Sequence, residues 1–196
     1  NNKGTEDNRV RKLDYSIQIS KIFYERFIKN AEITLFSPNN VPDLYEAFGM
    51  PEFDDLYLKY EKDKSIPKKT IGAQELFMAL LKERAETGRI YIMNLDHCNT
   101  HSSFKDKVYM SNLCQEITLP TTPVQHIDDK EGEIALCILS AINLGLLTDM
   151  KELEELCDLS VRALDEIIDY QEYPVEAAKI SAQSRRSLGI GYIGLA

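Results

Sequence analysis

Ser111-Asn112-Leu113-Cys114-Gln115-Glu116-Ile117-Thr118-Leu119-Pro120 is the stretch on which the reading of this chain turns. Taken as extended backbone, it sends successive side chains to opposite sides. Asn112, Cys114 and Glu116 then share one face, each about 6.7 Å further along than the last. Leu113, Ile117 and Leu119 share the other, with Gln115 the single polar interruption. The apolar face suits a core, whereas the opposite face lines up an amide, a thiol and a carboxylate. Polar groups removed from water need partners, so such a face is an odd choice for a buried strand. The plain alternative is a surface strand with a packed cysteine, since free cysteine mostly behaves as a small hydrophobe.

Composition narrows the setting. The 196 residues are 43% hydrophobic and 28% charged, which suits one globular domain or part of a larger one. A net charge of -9 argues against a non-specific grip on nucleic-acid phosphates or anionic lipid. No apolar run approaches the roughly 20 residues that cross a bilayer. Four cysteines without a CxxC pair do not make a disulfide scaffold, and a reducing, cytoplasmic setting is expected. The first residue is not Met and the apolar end at Tyr192-Ile193-Gly194-Leu195-Ala196 stops mid-pattern, so the expectation is a piece of a longer chain.

Outward from the opening stretch, elements follow from periodicity. Residues 1–9 are polar and read as a loop or a frayed end. Apolar residues near helical spacing predict a helix over 13–28. Residues 32–36 read as a strand, 41–48 as a short helix opened by Pro42 and closed by Gly49, and 52–62 as a second helix. The charged run 59–69, with Pro67, reads as a solvated connection. Thr70 is expected to cap a helix over 71–86 that Thr87-Gly88 stops, with a strand over 89–95. The small, apolar run 132–147 argues a buried helix. Residues 150–170 give the clearest helix, with Met150, Leu153, Cys157, Val161, Leu164 and Ile168 spaced by three or four and Asp149 as its N-cap. Pro174 can start a last helix running to Arg186. At least six helices and about three strands in alternating order favour an α/β layered or barrel architecture over a bundle. There is no internal repeat and no low-complexity segment.

Other constellations carry less. Gly189-Ile190-Gly191-Tyr192-Ile193-Gly194 matches GxGxxG, yet a predicted helix precedes it, so close packing or a turn is the better reading. Asp96-His97-Cys98 with His101 holds metal-ligand types, but zinc needs three or four ligands, and a strand-to-loop context breaks the helical register. These side chains are expected instead to brace a loop by hydrogen bonding. Cys157 is expected in the core, and Cys137 is expected to be packed by its neighbours. A cysteine hydrolase built on Cys114 lacks a local base, and Glu116 beside the thiol disfavours a thiolate. Chemistry that leaves the thiol uncharged, such as radical chemistry, fits better.

At this point the residues resemble a family. Asn112-Leu-Cys114-Gln-Glu116-Ile followed by Leu119-Pro120-Thr121 closely resembles the active-site stretch of the class I ribonucleotide reductase large (catalytic) subunit. Asn8-Arg-Val-Arg with Asp14-Tyr15, Ile33-Thr-Leu-Phe-Ser-Pro38, Gly88-Arg-Ile-Tyr-Ile92, Asp96-His-Cys-Asn-Thr-His-Ser102, Gly132-Glu-Ile-Ala-Leu-Cys137 and Arg185-Arg186 with Leu188-Gly-Ile-Gly191 are similar to that subunit in the family's order. Essentially the whole chain is covered, closest to the class Ia type of enteric bacteria and their phages.

The resemblance implies an α/β fold, part of a ten-stranded α/β barrel whose central finger loop carries the radical cysteine. By it, residues 1–196 form a partial catalytic barrel domain, without the N-terminal effector-binding region or the C-terminal part of the barrel. It implies that Cys114 becomes a thiyl radical taking the 3′-hydrogen of a ribonucleoside diphosphate. Glu116 matches the base on the 3′-hydroxyl, Asn112 the amide holding the ribose hydroxyls, and Cys137 one of two redox-active cysteines whose partner is absent from this chain. It further implies a metal-containing small subunit that supplies the radical, a thioredoxin- or glutaredoxin-type reductant, a homodimer of complete large subunits, and no cofactor or metal held by this chain. The alternative expectation is a non-catalytic remnant or split-enzyme piece acting only in assembly.

Overall fold

The structure, a computed structural model, describes Asp7 and residues 13–195, and the chain divides into two compact units, Asn1–Thr118 and Leu119–Ala196. The readings of residues 1–9 as a loop and of the Asn8-Arg-Val-Arg run lie outside the described residues, apart from Asp7.

The first unit opens with a strand where one helix was expected. Tyr15–Ile19 forms β1, and only Lys21–Ile28 forms the helix α1. Tyr15, Ile17 and Ile19 alternate with polar residues, and β1 lies parallel to β4 (Ile90–Asn94), with Tyr15 opposite Ile90. Pairing with a distant strand overrides the weak helical spacing that runs on into α1. β2 (Glu32–Phe36) forms as read, but its antiparallel partner β3 (Lys68–Gly72) takes the end of the charged run read over 59–69 and the start of the helix read over 71–86. Thr70 consequently sits in β3, and the helix α4 spans Ala73–Thr87, with Gly72 at its N-cap and Gly88, at φ 69°, closing it. Between β2 and β3 lie α2 (Pro42–Ala47) and α3 (Phe53–Lys62).

Ile22, Phe23, Ile33, Leu44 and Tyr57 form the core of this unit. The Tyr57 hydroxyl accepts from the Thr34 N–H (2.6 Å) and donates to the Thr34 carbonyl (2.9 Å), so a buried polar group is satisfied and β2 is tied to α3. Glu61 adds a second tie, accepting from Arg26 and from the Thr34 hydroxyl at 2.6 and 2.8 Å. After β4 the chain turns at once into a short helix, α5 (Leu95–Thr100).

In the second unit, β5 (Ile138–Asn143) and a short 3₁₀ turn (Leu144–Leu146) replace the buried helix expected over 132–147. A short apolar run does not distinguish a buried strand from a buried helix, and parallel pairing with β6 (Leu188–Ile193) decides it. α6 spans Met150–Tyr170 and α7 Glu176–Arg185. The Asp149 carboxylate accepts the Glu152 N–H at 2.9 Å, as a cap should. Leu164 and Ile168 of α6 are buried, but Met150 and Val161 are exposed and so is Cys157, which corrects its placement in the core. The apolar stripe of α6 is covered only toward its C-terminal end, where Ile168 is 1% exposed, and its first half lies on the unit's surface.

β6 carries the GxGxxG run, and its glycines serve packing. A Cβ on Gly189 would lie 2.5 Å from Leu139 Cδ2 and 3.2 Å from Cys137 Sγ, while Gly194 turns at φ 72°. Arg185 grips Glu133 through two bonds of 2.5 and 3.0 Å, and Arg186 bridges Asp165 and Asp169 on α6.

Candidate functional site

The stretch 111–118 is a turn, not a strand. The Asn112 N–H donates to the Ile117 carbonyl (3.2 Å), and the Gln115 N–H returns to the Asn112 carbonyl (3.2 Å). Gln115 adopts the left-handed conformation at φ 66°, which ends any strict alternation of side chains. The cause lies in Asn112, whose short amide competes with backbone pairing. Its Oδ1 accepts the Ile117 N–H at 3.0 Å, and its Nδ2 donates to Glu116 Oε1 at 2.6 Å. These two partners fix which way the amide points. The single face expected for Asn112, Cys114 and Glu116 is therefore replaced by a tighter arrangement. The turn brings Asn112 and Glu116 into direct contact and leaves Cys114 exposed near its apex, beside Leu113, which is 64% exposed.

The turn is held at its base by residues that sequence reasoning missed. Asn99 on α5 donates to the carbonyls of Leu95 (3.1 Å) and Val108 (3.0 Å) and accepts the Val108 N–H (2.8 Å). Val108 is 0% exposed and packs with Met93 and Leu95. Gln18 on β1 donates to the Tyr109 carbonyl at 2.8 Å. At the apex the Cys114 thiol lies within hydrogen-bond reach of the Tyr91 hydroxyl, with Sγ 3.8 Å from the phenol oxygen. Hydrogen bonding with Cys114 and then the negative charge Cys114 can carry hold the Tyr91 hydroxyl above the ordinary tyrosine range. Gly49, at φ 80°, lets the chain pass the clamp, since a Cβ there would lie 2.6 Å from Leu95 Cγ and 3.0 Å from Asn99 Nδ2. Asn99 stands in the Asp96–His101 run that was expected to brace a loop, so a signal existed. Tyr91 and Gln18 lie in strands, where nothing local marks them.

The other polar residues of that run do different work. Residues 95–100 are helical, which corrects the strand-to-loop reading, and the His97 and His101 rings pack edge to face at 5.5 Å. Asp96 Oδ2 accepts the Lys21 N–H at 2.6 Å, capping α1 from a position far along the chain. Among the described residues no group of three or more His, Cys, Asp or Glu is placed to hold a metal ion. Cys98 is half-buried, and burial pushes its thiol up against the opposing effect of a Thr118 hydrogen bond. In the second unit Cys137 directly precedes β5, and burial likewise pushes its thiol up.

The model of the ribonucleotide reductase barrel domain matches residues 1–196. The chain belongs to that family. This reductase-family chain is 60% identical to the ribonucleoside-diphosphate reductase subunit alpha of Haemophilus influenzae over 201 aligned residues, covering 100% of this chain and 27% of the relative. It is 59% identical to the subunit of that name in Buchnera aphidicola from Schizaphis graminum, and 57% identical to ribonucleoside-diphosphate reductase 1 subunit alpha of Escherichia coli. Both alignments cover 100% of this chain and 26% of the relative. The chain thus spans about a quarter of the length of the curated relatives it matches. A mixed α/β fold agrees with a barrel-domain member, and among the described residues no helix is long and apolar enough to cross a membrane.

Proposed function

We propose that this chain is the radical-bearing part of the catalytic subunit of a ribonucleoside-diphosphate reductase, which replaces the ribose 2′-hydroxyl with hydrogen for deoxyribonucleotide synthesis. The observation that carries the proposal is the 2.6 Å bond joining Asn112 to Glu116 across a turn that exposes Cys114. A thiol, a carboxylate and an amide held in one turn can converge on a single sugar ring. The names of the relatives supply the substrate class.

In this reading a thiyl radical on Cys114 takes the 3′-hydrogen as an atom, leaving S–H on sulfur and the unpaired electron on C3′. Glu116 receives the 3′-hydroxyl proton, and the Asn112 amide holds the ribose hydroxyls. The 2′-hydroxyl gains a proton and departs as water. Cys137 and a second cysteine from the rest of the subunit supply two electrons and two hydrogens, and become a disulfide. Glu116 then gives its proton back to the 3′-oxygen and Cys114 returns its hydrogen to C3′, which regenerates both the carboxylate and the radical. Burial keeps Cys137 a neutral thiol, the form that carries a transferable hydrogen.

The parallel pairs β1–β4 and β5–β6, with helices between their strands, support placing the chain in a ten-stranded α/β barrel, with residues 111–118 on its finger loop. The remainder of the subunit then supplies the effector-binding region and the rest of the barrel. The partners of the whole enzyme are a metal-containing small subunit that generates the radical, a thioredoxin- or glutaredoxin-type reductant, and a second large subunit, in the cytoplasm.

The test uses a complete large subunit containing this chain, together with its small subunit. Cys114→Ser should abolish deoxynucleotide formation while nucleoside diphosphate binding stays within about twofold, because the hydroxyl fills the same space but cannot carry the radical. Turnover that persists in Cys114→Ser would sink the proposal.

A further inference from the structure

The path of the chain from α5 to the turn is set by one face of β4. Tyr91 and Met93 lie two residues apart on that strand and so point to the same side, and Leu95 opens α5 directly after it. Val108 packs on Met93 and Leu95. Gln18, the register partner of Met93 on β1, holds the Tyr109 carbonyl. Two successive anchors, at Val108 and at Tyr109, therefore lead the segment along β4, so that Cys114 arrives opposite Tyr91, with Sγ 3.8 Å from the phenol oxygen.

We infer that Tyr91 is a positioning residue for the Cys114 thiol: its hydroxyl accepts the S–H and selects one orientation of an otherwise free side chain. The inference rests on the reading of Cys114 as the radical-bearing residue. A cysteine at an exposed apex can rotate among three staggered positions about its single Cα–Cβ bond. A fixed acceptor on a strand reduces that choice before substrate arrives. Hydrogen-atom transfer benefits, because reacting atoms must meet at about 3–3.5 Å in an aligned geometry. A phenol also suits the task chemically. Kept neutral, it offers an oxygen to the S–H without removing the proton, so the thiol retains the hydrogen that the reaction moves. The ring is half-buried and belongs to a strand paired along its length with β1, so the acceptor itself is held by backbone hydrogen bonds.

The experiment uses the complete large subunit with its small subunit. Tyr91→Phe keeps the ring and removes only the acceptor. Its kcat should fall about tenfold, with KM for the nucleoside diphosphate within about twofold of the parent, because orientation and not binding is lost. A second readout does not depend on turnover. In infrared spectra taken as the difference between each protein and its own Cys114→Ala version, the Cys114 S–H stretch should lie at lower frequency in the parent than in Tyr91→Phe, since the hydroxyl that accepts the S–H is gone. An S–H frequency unchanged by Tyr91→Phe overturns the contact whatever the kinetics show, and full kcat in Tyr91→Phe overturns its role in the reaction. Failure of the underlying reading is distinct, because it appears as product formation by Cys114→Ser.

Discussion

Removal of the Asn99 side chain should release the base of the Cys114 turn while leaving its apex intact. In the parent, Asn99 accepts the Val108 N–H at 2.8 Å and donates to the Val108 carbonyl at 3.0 Å, and Val108 has no exposed surface. Asn99→Ala leaves one backbone donor and one backbone acceptor buried without these partners. Each such group costs about 1–3 kcal/mol. The segment escapes part of that cost by opening to water, so local stability should fall by roughly 2–5 kcal/mol. Tenfold per 1.4 kcal/mol makes this a loss of about one and a half to three and a half decades in hydrogen-exchange protection at the Val108 amide. The assay is amide exchange in the complete subunit, in the regime where closing outpaces exchange, with the amides of α3 as an internal reference. Asn99→Asp should also lose protection, because it keeps an acceptor for the N–H but sets a second acceptor against the Val108 carbonyl. A change of less than about twofold at Val108 in Asn99→Ala would refute the reasoning, since one of the costs in that sum would not exist.

Two further outcomes test other parts of the chain. Asp149→Ala should destabilise the first turn of α6 by about 1 kcal/mol, measured as faster exchange of the Glu152 amide, which the carboxylate now accepts at 2.9 Å. The Asp129 carboxylate accepts the N–H groups of Gln125, Glu131 and Gly132, and these bonds, that of Gln125 first, hold it below the ordinary carboxylate range. A depressed carboxylate contributes stability that is fully present above about pH 4 and is lost as pH falls through its depressed value. Exchange at those three amides, corrected for the intrinsic rate, should therefore rise on acidification below pH of about 4, and the rise should be absent in Asp129→Asn.

What was legible in the sequence was local. α6 shows in the spacing of Leu153, Leu164 and Ile168 and in the Asp149 cap, all signals within a few residues of one another. α2, α3, β2 and β4 likewise lie close to where periodicity and the flanking Pro42 and Gly88 set them. β1, β3 and β5 were not legible, because each is a strand only through a partner far along the chain, and residues 15–28 blend a strand and a helix into one apparent period. The site divides in the same way. An amide, a thiol and a carboxylate at 112, 114 and 116 were readable as residue types close in sequence. The geometry of the site was not, since the left-handed Gln115 and the Asn112 side-chain bonds turn an apparent strand into a loop. Tyr91, Gln18 and Asn99 act through tertiary contacts that spacing does not encode.

The nesting of strands in the first unit has a consequence for how it is made. Gln18 and Met93, paired across β1 and β4, are 75 residues apart, and the β2–β3 ribbon lies wholly between them. During synthesis β1 leaves the ribosome long before its partner and has to wait, with Ile17 and Ile19 uncovered. The ribbon can close first over a shorter loop, and in closing it draws the two outer strands together, which lowers the entropy cost of the last pairing. Pulse-labelled exchange during refolding would then find the β2 amides protected ahead of those of β1. The Cys114 turn, anchored through Gln18 and the face of β4, can take shape only after both.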